Sequence, residues 1–569
     1  MPKRKASDAL DVDRREKQPR SDSSTADRIS HLSHELTLRI LSFLPVPDLI
    51  VCHRVSRHFQ ALSADSQLWK ALYYNRYVRP RASRIPGIRD SGVPADSLYF
   101  SSKLSRWLDD EGLVRRGKKT NWKRQYKLRH NWSRGSCAVS EIPVSEQPSV
   151  PPILVQMSSS TIFLADQEDG LRAWSMQAPR KLLATFDFDR IPGHDPSSPP
   201  SALAVDTASV STDTTDVAIG FQDGSFSIFR LDHQHCDITR RYSHPASSNG
   251  LLEAIALSTP YLSTMTATHL LSFYKFQCPP DSIQCQAVLD PPRLLHSLHS
   301  NSVWPPLTLS IRPSADTILV AIAYALPTYL SGWTVGIQEL RVSADTGDLI
   351  SSRLASAIDQ AYRPLVSARA LTSPRRSQSD AAPPFAYFGG MEANQIHSKP
   401  TSLSYNHPYL LVSHPDNTLT LYLVSSTNDD LAISPGNRLW GHTSSVSGAH
   451  VGGRGKAISV SSRGDELRVW ELEGGFTSAS AKRKLQSGRL SVQIRPEVGS
   501  DMNASKDSEV GIDTAVNRGS SLGFALRHGS TLSEDTSMIR GWVGFDDENV
   551  VVLKEKSCGA QALVIYDFA

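Results

Sequence analysis

From Ile153 to Phe568 the chain is written in short apolar runs separated by polar turns, and this pattern limits its fold more than any other feature. The opening stretch reads ILVQM, TIFLAD, LRAWSM and KLLATF, and comparable groups of three or four runs recur down the chain. Runs of this length and alternation are strands. A lone group of three or four strands would expose both edges and an apolar face, whereas radial stacking of such groups buries the faces. Seven groups are expected, near residues 153–175, 202–231, 251–276, 308–341, 402–424, 446–472 and 538–568. Eight is the competing number, because the irregular stretches 342–400 and 473–521 are long enough to hold another.

Internal similarity supports the repeat reading. VAIGFQDGSFSIFRL places Asp223 six residues before Phe229, and LLVSHPDNTLTLYLV places Asp416 six before Tyr422. In each a polar turn joins two strands whose alternate side chains would face neighbouring groups.

At 569 residues the chain is too long for one ordinary core, and Pro (35) and Gly (33) supply the turns that many short strands need. The formal charge of +4 is small for this length and gives no reason to expect nucleic-acid binding. Its visible concentration, Lys3-Arg4-Lys5 and Arg14-Arg15, lies in residues 1–28, a basic tail without apolar periodicity that is read as disordered or as a nuclear-import signal. Cys52, Cys137, Cys236, Cys278, Cys285 and Cys558 make neither a disulfide framework nor a zinc spacing. The N-terminus has no apolar signal core, and the longest apolar run, 318–330, is interrupted by Pro327 and too short for a bilayer. The expectation is a soluble protein of the nucleus and/or cytoplasm, with no membrane partner and no cofactor.

Between His31 and Tyr77 the periodicity becomes helical. Leu36, Ile40, Phe43 and Leu44 form one apolar stripe, and Pro45 and Pro47 are expected to stop that helix. Asp48 would open a second helix, Val55, Phe59 and Leu62 would form the buried face of a third, and Ser66 would cap a fourth carrying Leu68, Trp69, Leu72 and Tyr73. Four short helices make a marginal core that gains by packing on something else.

These residues resemble the F-box family. Leu32-Ser33-His34-Glu35-Leu36, Ile40-Leu41-Ser42-Phe43-Leu44, Asp48-Leu49, Val55-Ser56-Arg57-His58-Phe59 and Leu68-Trp69 match its characteristic runs, with Ser33 for the usual proline, Ser56 for cysteine and Phe59 for tryptophan. The resemblance implies that residues 29–77 dock on the Skp-family adaptor of a cullin-based ubiquitin ligase. Carried to this chain, it implies contacts at Leu32, Leu36, Ile40, Leu41, Leu44 and Leu49, some of which must instead form the module's own core.

Residues 78–135 are read as a helical linker, with a short helix at 98–107 and a basic, aromatic run at 115–136 containing Trp122, Tyr126 and Trp132. Alone, that run could bind nucleic acid. Its end, Asn131-Trp132-Ser133-Arg134-Gly135, resembles the connector of fungal-like F-box proteins with WD repeats, which implies a helix whose aromatic bodies fix the flanking domains while its basic side chains point outward.

Residues 136–569 are then expected to form a β-propeller. Its most complete unit, from Trp440 to Gly474, resembles a WD repeat through Gly441-His442, the strand with Ser459 and Ser461, the turn residue Asp465, and Trp470-Glu471 in place of Trp-Asp. The family's hydrogen-bonded scaffold would use His442, Ser459, Asp465 and Trp470, although Asp465 stands only five residues before Trp470, one short of the usual spacing. A Ser, His and Asp grouping can also suggest a hydrolase, but no nucleophile-elbow motif accompanies it, so no enzyme is expected. The final repeat would lack its outer strand, and Cys137–Ile142 is expected to supply it; the competing assignment leaves that segment free.

The stretches 342–400 and 473–521 are read as insertions leaving the scaffold, either disordered or regulatory. Together the resemblances imply the substrate-recognition subunit of a Skp/cullin/F-box ubiquitin ligase, partnered through the adaptor with cullin and RING subunits and holding an unidentified protein target, phosphorylated or not. A non-degradative F-box and propeller scaffold is the alternative.

Overall fold

The computed structural model describes residues 32–79, 120–158, 161–177, 179–191, 195, 197–206, 213–277, 289–300, 303–314, 316–328, 332–344, 346–357, 398–427, 430–452, 455–464, 466–472, 483, 491–496, 538–556 and 559–569. The basic tail, the expected helix at 98–107, Cys278, Cys285, Asp465 and Cys558 lie outside them, as do most residues of the two insertions. The chain divides into two compact units, Met1–Tyr126 and Lys127–Ala569.

The first unit contains α1 (His34–Leu41), α2 (Val46–Cys52), α3 (Arg57–Ser63) and α4 (Ser66–Tyr73), the last continued by a wider turn, Tyr74–Val78. Ser33 caps α1 by accepting from the Leu36 N–H, and Ser56 caps α3 by accepting from that of Phe59. Pro45 and Pro47 do not stop α1, which ends at Leu41; they open α2, where a missing N–H costs nothing, so Asp48 sits inside that helix. Asp65, not Ser66, caps α4, its carboxylate 2.8 Å from the Gln67 nitrogen. Val55 precedes α3 and is exposed, leaving Leu62 and the partly buried Phe59 on the inner face. The core gathers Leu41, Leu49, Leu62, Leu68, Trp69, Tyr73, Tyr74 and Val78 with Trp122 and Tyr126 from the first two turns of α5 (Trp122–Arg134).

The second unit begins with the remainder of α5 and then β1 (Ser136–Ser145). Blade one contains β2 (Leu154–Ser158), β3 (Thr161–Asp166), β4 (Gly170–Ser175) and β5 (Leu182–Phe186), and blade two β6 (Pro200–Val205), β7 (Thr214–Phe221), β8 (Phe226–Asp232) and β9 (Asp237–His244). Blade three contains β10 (Leu252–Ser258), β11 (Tyr261–Thr266), β12 (Leu270–Lys275) and β13 (Arg293–His299). Blade four contains β14 (Trp304–Pro313), β15 (Thr317–Pro327), β16 (Trp333–Ser343) and β17 (Leu349–Ser356). In blade five, β18 (Ser402–Asn406), β19 (Tyr409–Ser413) and β20 (Thr418–Ser426) are followed by β21 (Leu431–Ile433) and β22 (Asn437–Trp440), which both pair with β20. Blade six contains β23 (Val446–Val451), β24 (Lys456–Ser461), β25 (Leu467–Glu471) and β26 (Ser491–Gln493), followed by the short β27 (Arg495–Pro496). Blade seven contains β28 (Met538–Phe545), β29 (Asn549–Glu555) and β30 (Gln561–Asp567), completed by β1.

The innermost strands β2, β6, β10, β14, β18, β23 and β28 touch in that order, and β28 returns to β2, so the sheets close into a seven-bladed propeller. One apolar cluster fills each junction between blades. Strand alternation explains how one blade serves two junctions. On β29 and β30, Val550, Val552, Val564 and Tyr566 pack toward blade six, while Val551, Leu553, Leu563 and Ile565 pack toward blade one.

The outer strand of blade seven comes from the other end of the domain. Strand β1 runs antiparallel to β30 from Ala138 opposite Asp567 to Pro143 opposite Ala562, so the expected closure by Cys137–Ile142 is realised and the free-segment alternative is not. The stretches read as insertions are partly blade: β17 lies within 342–400, and β26 and β27 lie within 473–521. In β17 Ile350 and Leu354 are exposed and three of the eight residues are serines, which conceals an outer strand in a sequence pattern.

Candidate docking face and propeller scaffold

Each helix of the first unit buries one narrow stripe, and the side chains beside it remain in water. On α1, Thr37 and Leu41 face inward, whereas Leu36 and Ile40, equally spaced one position earlier, are 55% and 51% exposed. Phe43, Ile50, Val51 and Val55 are also exposed, and the Arg39 guanidinium lies 5.0 Å from the Phe43 ring centroid. Six large apolar side chains left in water on so small a unit mark a surface suited to a protein partner.

Of the contacts implied by resemblance, Leu36 and Ile40 are thus exposed, and Leu32 and Leu44 are partly buried. Leu41 and Leu49 are 3% and 0% exposed and belong to the module's own core, so neither offers its side chain to a partner in this fold. Ile50 and Val51 were not singled out in the sequence; the signal available for them was a surplus of apolar residues over what one face of a seven-residue helix can bury.

In blade six, Ser459 Oγ lies 2.8 Å from Trp470 Nε1, which donates to it, and 2.5 Å from His442 Nε2. All three side chains are buried. The carboxylate facing the other side of the imidazole belongs to Glu466, with Oε2 3.4 Å from His442 Nδ1. The same carboxylate accepts from the Thr443 N–H at 2.8 Å and from Arg468 Nε at 2.6 Å. Burial alone would raise the Glu466 pKa, but these donors and the nearby His442 hold it below its ordinary value. These contacts join the turn at His442 and Thr443 to the strands that carry Ser459, Arg468 and Trp470, and so tie one blade together.

The turn aspartates are structural as well. Asp223 accepts from Ser225 N and Oγ, and Asp416 accepts from Thr418 N and Oγ1, one carboxylate closing each turn. Next to the second turn, His414 is fully buried with Nε2 2.9 Å from Thr420 Oγ1, and burial lowers its pKa to about 4.

The closure point is equally specific. Trp132 stacks on Phe568 with ring centroids 4.0 Å apart and donates from Nε1 to the Asp547 carbonyl at 2.9 Å, while Asn131 Nδ2 donates to the Phe568 carbonyl. Gly135 has φ of +72°, and a Cβ there would lie 2.2 Å from the Gln493 carbonyl oxygen. The Asn131, Trp132 and Gly135 of the connector motif are therefore parts of the seam. Burial pushes the Asp546 carboxyl of the same turn up to about 6, against hydrogen bonds from the Asn549 and Glu548 N–H groups that favour its charged form.

Trp304 and Trp440 are the two exposed tryptophans among the described residues, at 47% and 49%. Trp304 starts the inner strand of blade four and Trp440 ends the outer strand of blade five, so both lie at the propeller end where chains pass from blade to blade. Arg438 lies over Trp440, 5.1 Å from its centroid, and pairs with Asp416. Among the described residues, no helix is long and apolar enough to cross a membrane and no group of His, Cys, Asp and Glu could hold a metal ion.

A capped four-helix module with an apolar outer face, followed by a seven-bladed ring, defines an F-box protein with a β-propeller. An F-box-like family model matches residues 29–75, and the model described as the F-box protein pof12 β-propeller matches residues 137–569. The chain belongs to the family of that second model, which covers the whole ring. Among curated proteins it is similar to F-box protein pof12 of Schizosaccharomyces pombe, 41% identical over 64 residues, covering 11% of this chain and 14% of that protein. It is also similar to F-box protein dre-1 of Caenorhabditis elegans, 36% identical over 83 residues, covering 15% of this chain and 8% of that protein. Both alignments thus span a small part of the relatives. Solved structures that it resembles include the WD40 β-propeller domain of Doa1, at 10% identity over 76% of this chain and 96% of that one with a TM-score of 0.34. Another is the Cps50 (Swd1) β-propeller domain of Myceliophteria thermophila, at 11% identity over 75% and 99% with a TM-score of 0.36.

Proposed function

We propose that this chain is the non-catalytic, substrate-recognition subunit of a Skp/cullin/F-box ubiquitin ligase, working in the nucleus and/or cytoplasm. The observation that carries the reading is the exposed apolar face of the helical unit, with Leu36 and Ile40 on α1, in a segment matched by the F-box-like model. An adaptor surface covering that face would remove Leu36, Ile40 and their exposed neighbours from water, and the gain grows with the apolar area buried. Leu32 and Leu44 would flank the contact, while Leu41 and Leu49 would shape it from beneath.

The ring would hold the protein target near the ubiquitin-carrying enzyme, so that a lysine is modified through proximity and not through chemistry on this chain. Target contact is assigned to the blade-connection end of the propeller, where Trp304 and Trp440 are exposed, since buried aromatic anchors dominate many protein interfaces.

Co-purification tests the reading. Recovery of a Skp-family adaptor together with a cullin is expected, and the Leu36→Asp, Ile40→Asp variant should lose both while circular dichroism remains unchanged. Adaptor without cullin would favour the non-degradative scaffold, and unchanged adaptor binding by the folded variant would remove the docking face. For the target, crosslinks confined to residues 1–31 would remove the propeller assignment.

A further inference from the structure

The F-box-like match ends at residue 75, yet the core of the helical unit does not. Trp122 and Tyr126, more than forty residues beyond α4, are 6% and 4% exposed within it. The Trp122 ring lies 5.5 Å from Tyr73 and 5.8 Å from Tyr74, and Tyr126 lies 5.4 Å from Trp69 in an edge-to-face arrangement and 5.5 Å from Tyr77. Aromatic pairs at these separations attract beyond their buried area.

Two polar contacts fix the same helix. Arg76 Nη1 donates to Tyr126 Oη at 2.6 Å, and Lys123 Nζ lies 2.9 Å from Nε2 of His53, the residue that ends α2. The first turns of α5 therefore grip α4 by ring packing and the end of α2 by a hydrogen bond. Helix α2 carries the exposed Ile50 and Val51, and its Leu49 is wholly buried in the core that Trp122 and Tyr126 complete. Four helices of seven or eight residues bury too little to hold such a face unaided.

We propose that the adaptor-docking module is discontinuous in sequence, formed by residues 32–79 together with 120–126, and that Trp122 and Tyr126 are positioning residues for docking although they present no side chain to the adaptor. This rests on the receptor reading for the identity of the partner, not for the anatomy of the module. The basic, aromatic run that could have been a nucleic-acid platform has its first two rings committed to this core.

The test uses the full chain and a purified Skp-family adaptor. The Trp122→Ala, Tyr126→Ala variant should bind at least tenfold more weakly than the parent, and the Trp122→Phe, Tyr126→Phe variant, which keeps the rings, should recover most of the affinity. Hydrogen exchange is read in parallel: amides of α4 and α2 should exchange faster in the alanine variant, while those of β29 and β30 keep their protection. Binding by the alanine variant within twofold of the parent, or unchanged exchange in α2 and α4, would overturn the proposal. If the parent itself binds no adaptor, the receptor reading falls, and the exchange comparison alone decides whether the module is discontinuous.

Discussion

In the helical unit Leu36, Ile40, Phe43, Ile50, Val51 and Val55 are exposed, whereas in blade seven successive residues of β29 and β30 disappear to one side and then the other. A short helix has one inward stripe, so apolar residues beyond it must face water or a partner. A strand between two neighbouring blades has two inward faces and can bury nearly every side chain it carries. Surplus apolar residues thus have opposite fates in the two regions: exposed surface in the first and ordinary core in the second.

The largest effect is expected at the ring's closure. Deleting residues 137–144 removes the strand that covers β30, and the thermal transition of the propeller should fall by more than about 10 °C or lose cooperativity. Gly135→Val should cost roughly 3 kcal/mol or more through its positive φ and the approach of Gln493. A deletion variant melting like the parent would show that the ring does not depend on strand exchange.

The next effect separates the two kinds of apolar residue directly. Leu49→Ala should lower the stability of the helical unit by about 2–4 kcal/mol, while Leu36→Asp should change it by less than about 0.5 kcal/mol. Adaptor affinity should respond in the other sense, with Leu36→Asp weakening it about a hundredfold at temperatures where both variants are folded. Equal destabilisation by the two substitutions, measured by urea unfolding, would erase the comparison.

Within the propeller, the buried His414 and the partly buried Asp546 should impose opposing pH dependences. His414, with its pKa lowered to about 4, contributes stability that is complete above its ordinary value of 6.5 and is lost as pH falls from there toward 4. Asp546, raised from 3.8 to about 6, contributes in the opposite sense: its share is complete below pH 3.8 and is lost as pH rises through 6. Each amounts to about 3 kcal/mol at most. Denaturation midpoints between pH 4 and 7 should therefore rise less steeply with pH in His414→Gln and more steeply in Asp546→Asn. Parallel profiles for both variants and the parent would contradict the assigned burials.

The smallest expected change is in the blade-six scaffold. Ser459→Ala removes the oxygen shared by Trp470 and His442, and a loss of about 1–2 kcal/mol should appear in chemical denaturation without a change in adaptor binding. A change in adaptor binding at constant stability would give this network a role beyond packing.

Much of this architecture was legible before folding was considered. The alternating strands that flank the Asp223 and Asp416 turns, and the carboxylates that close those turns, follow local rules of strand and turn geometry. The outer strands β17 and β26 were not legible, because a strand with one side toward water needs few apolar residues and resembles a loop. The scaffold carboxylate that the structure shows is Glu466, next to the expected Asp465, which lies outside the described residues; Glu466 had no place in the repeat's residue pattern, and its role follows from its approach to His442 across the folded blade.

By itself the sequence determined that the chain has a module of short helices followed by repeated groups of short strands, since periodicity and turn chemistry are local properties repeated along the chain. Tertiary structure decided which leucines are core and which are surface, with Leu41 and Leu49 inside and Leu36 and Ile40 outside, although all four are apolar residues in helices of seven or eight residues. It also decided that Trp122 and Tyr126 belong to a module ending, by sequence match, at residue 75. The physical reason is that burial depends on what approaches from elsewhere in the chain, and a contact across more than forty residues leaves no mark on local spacing.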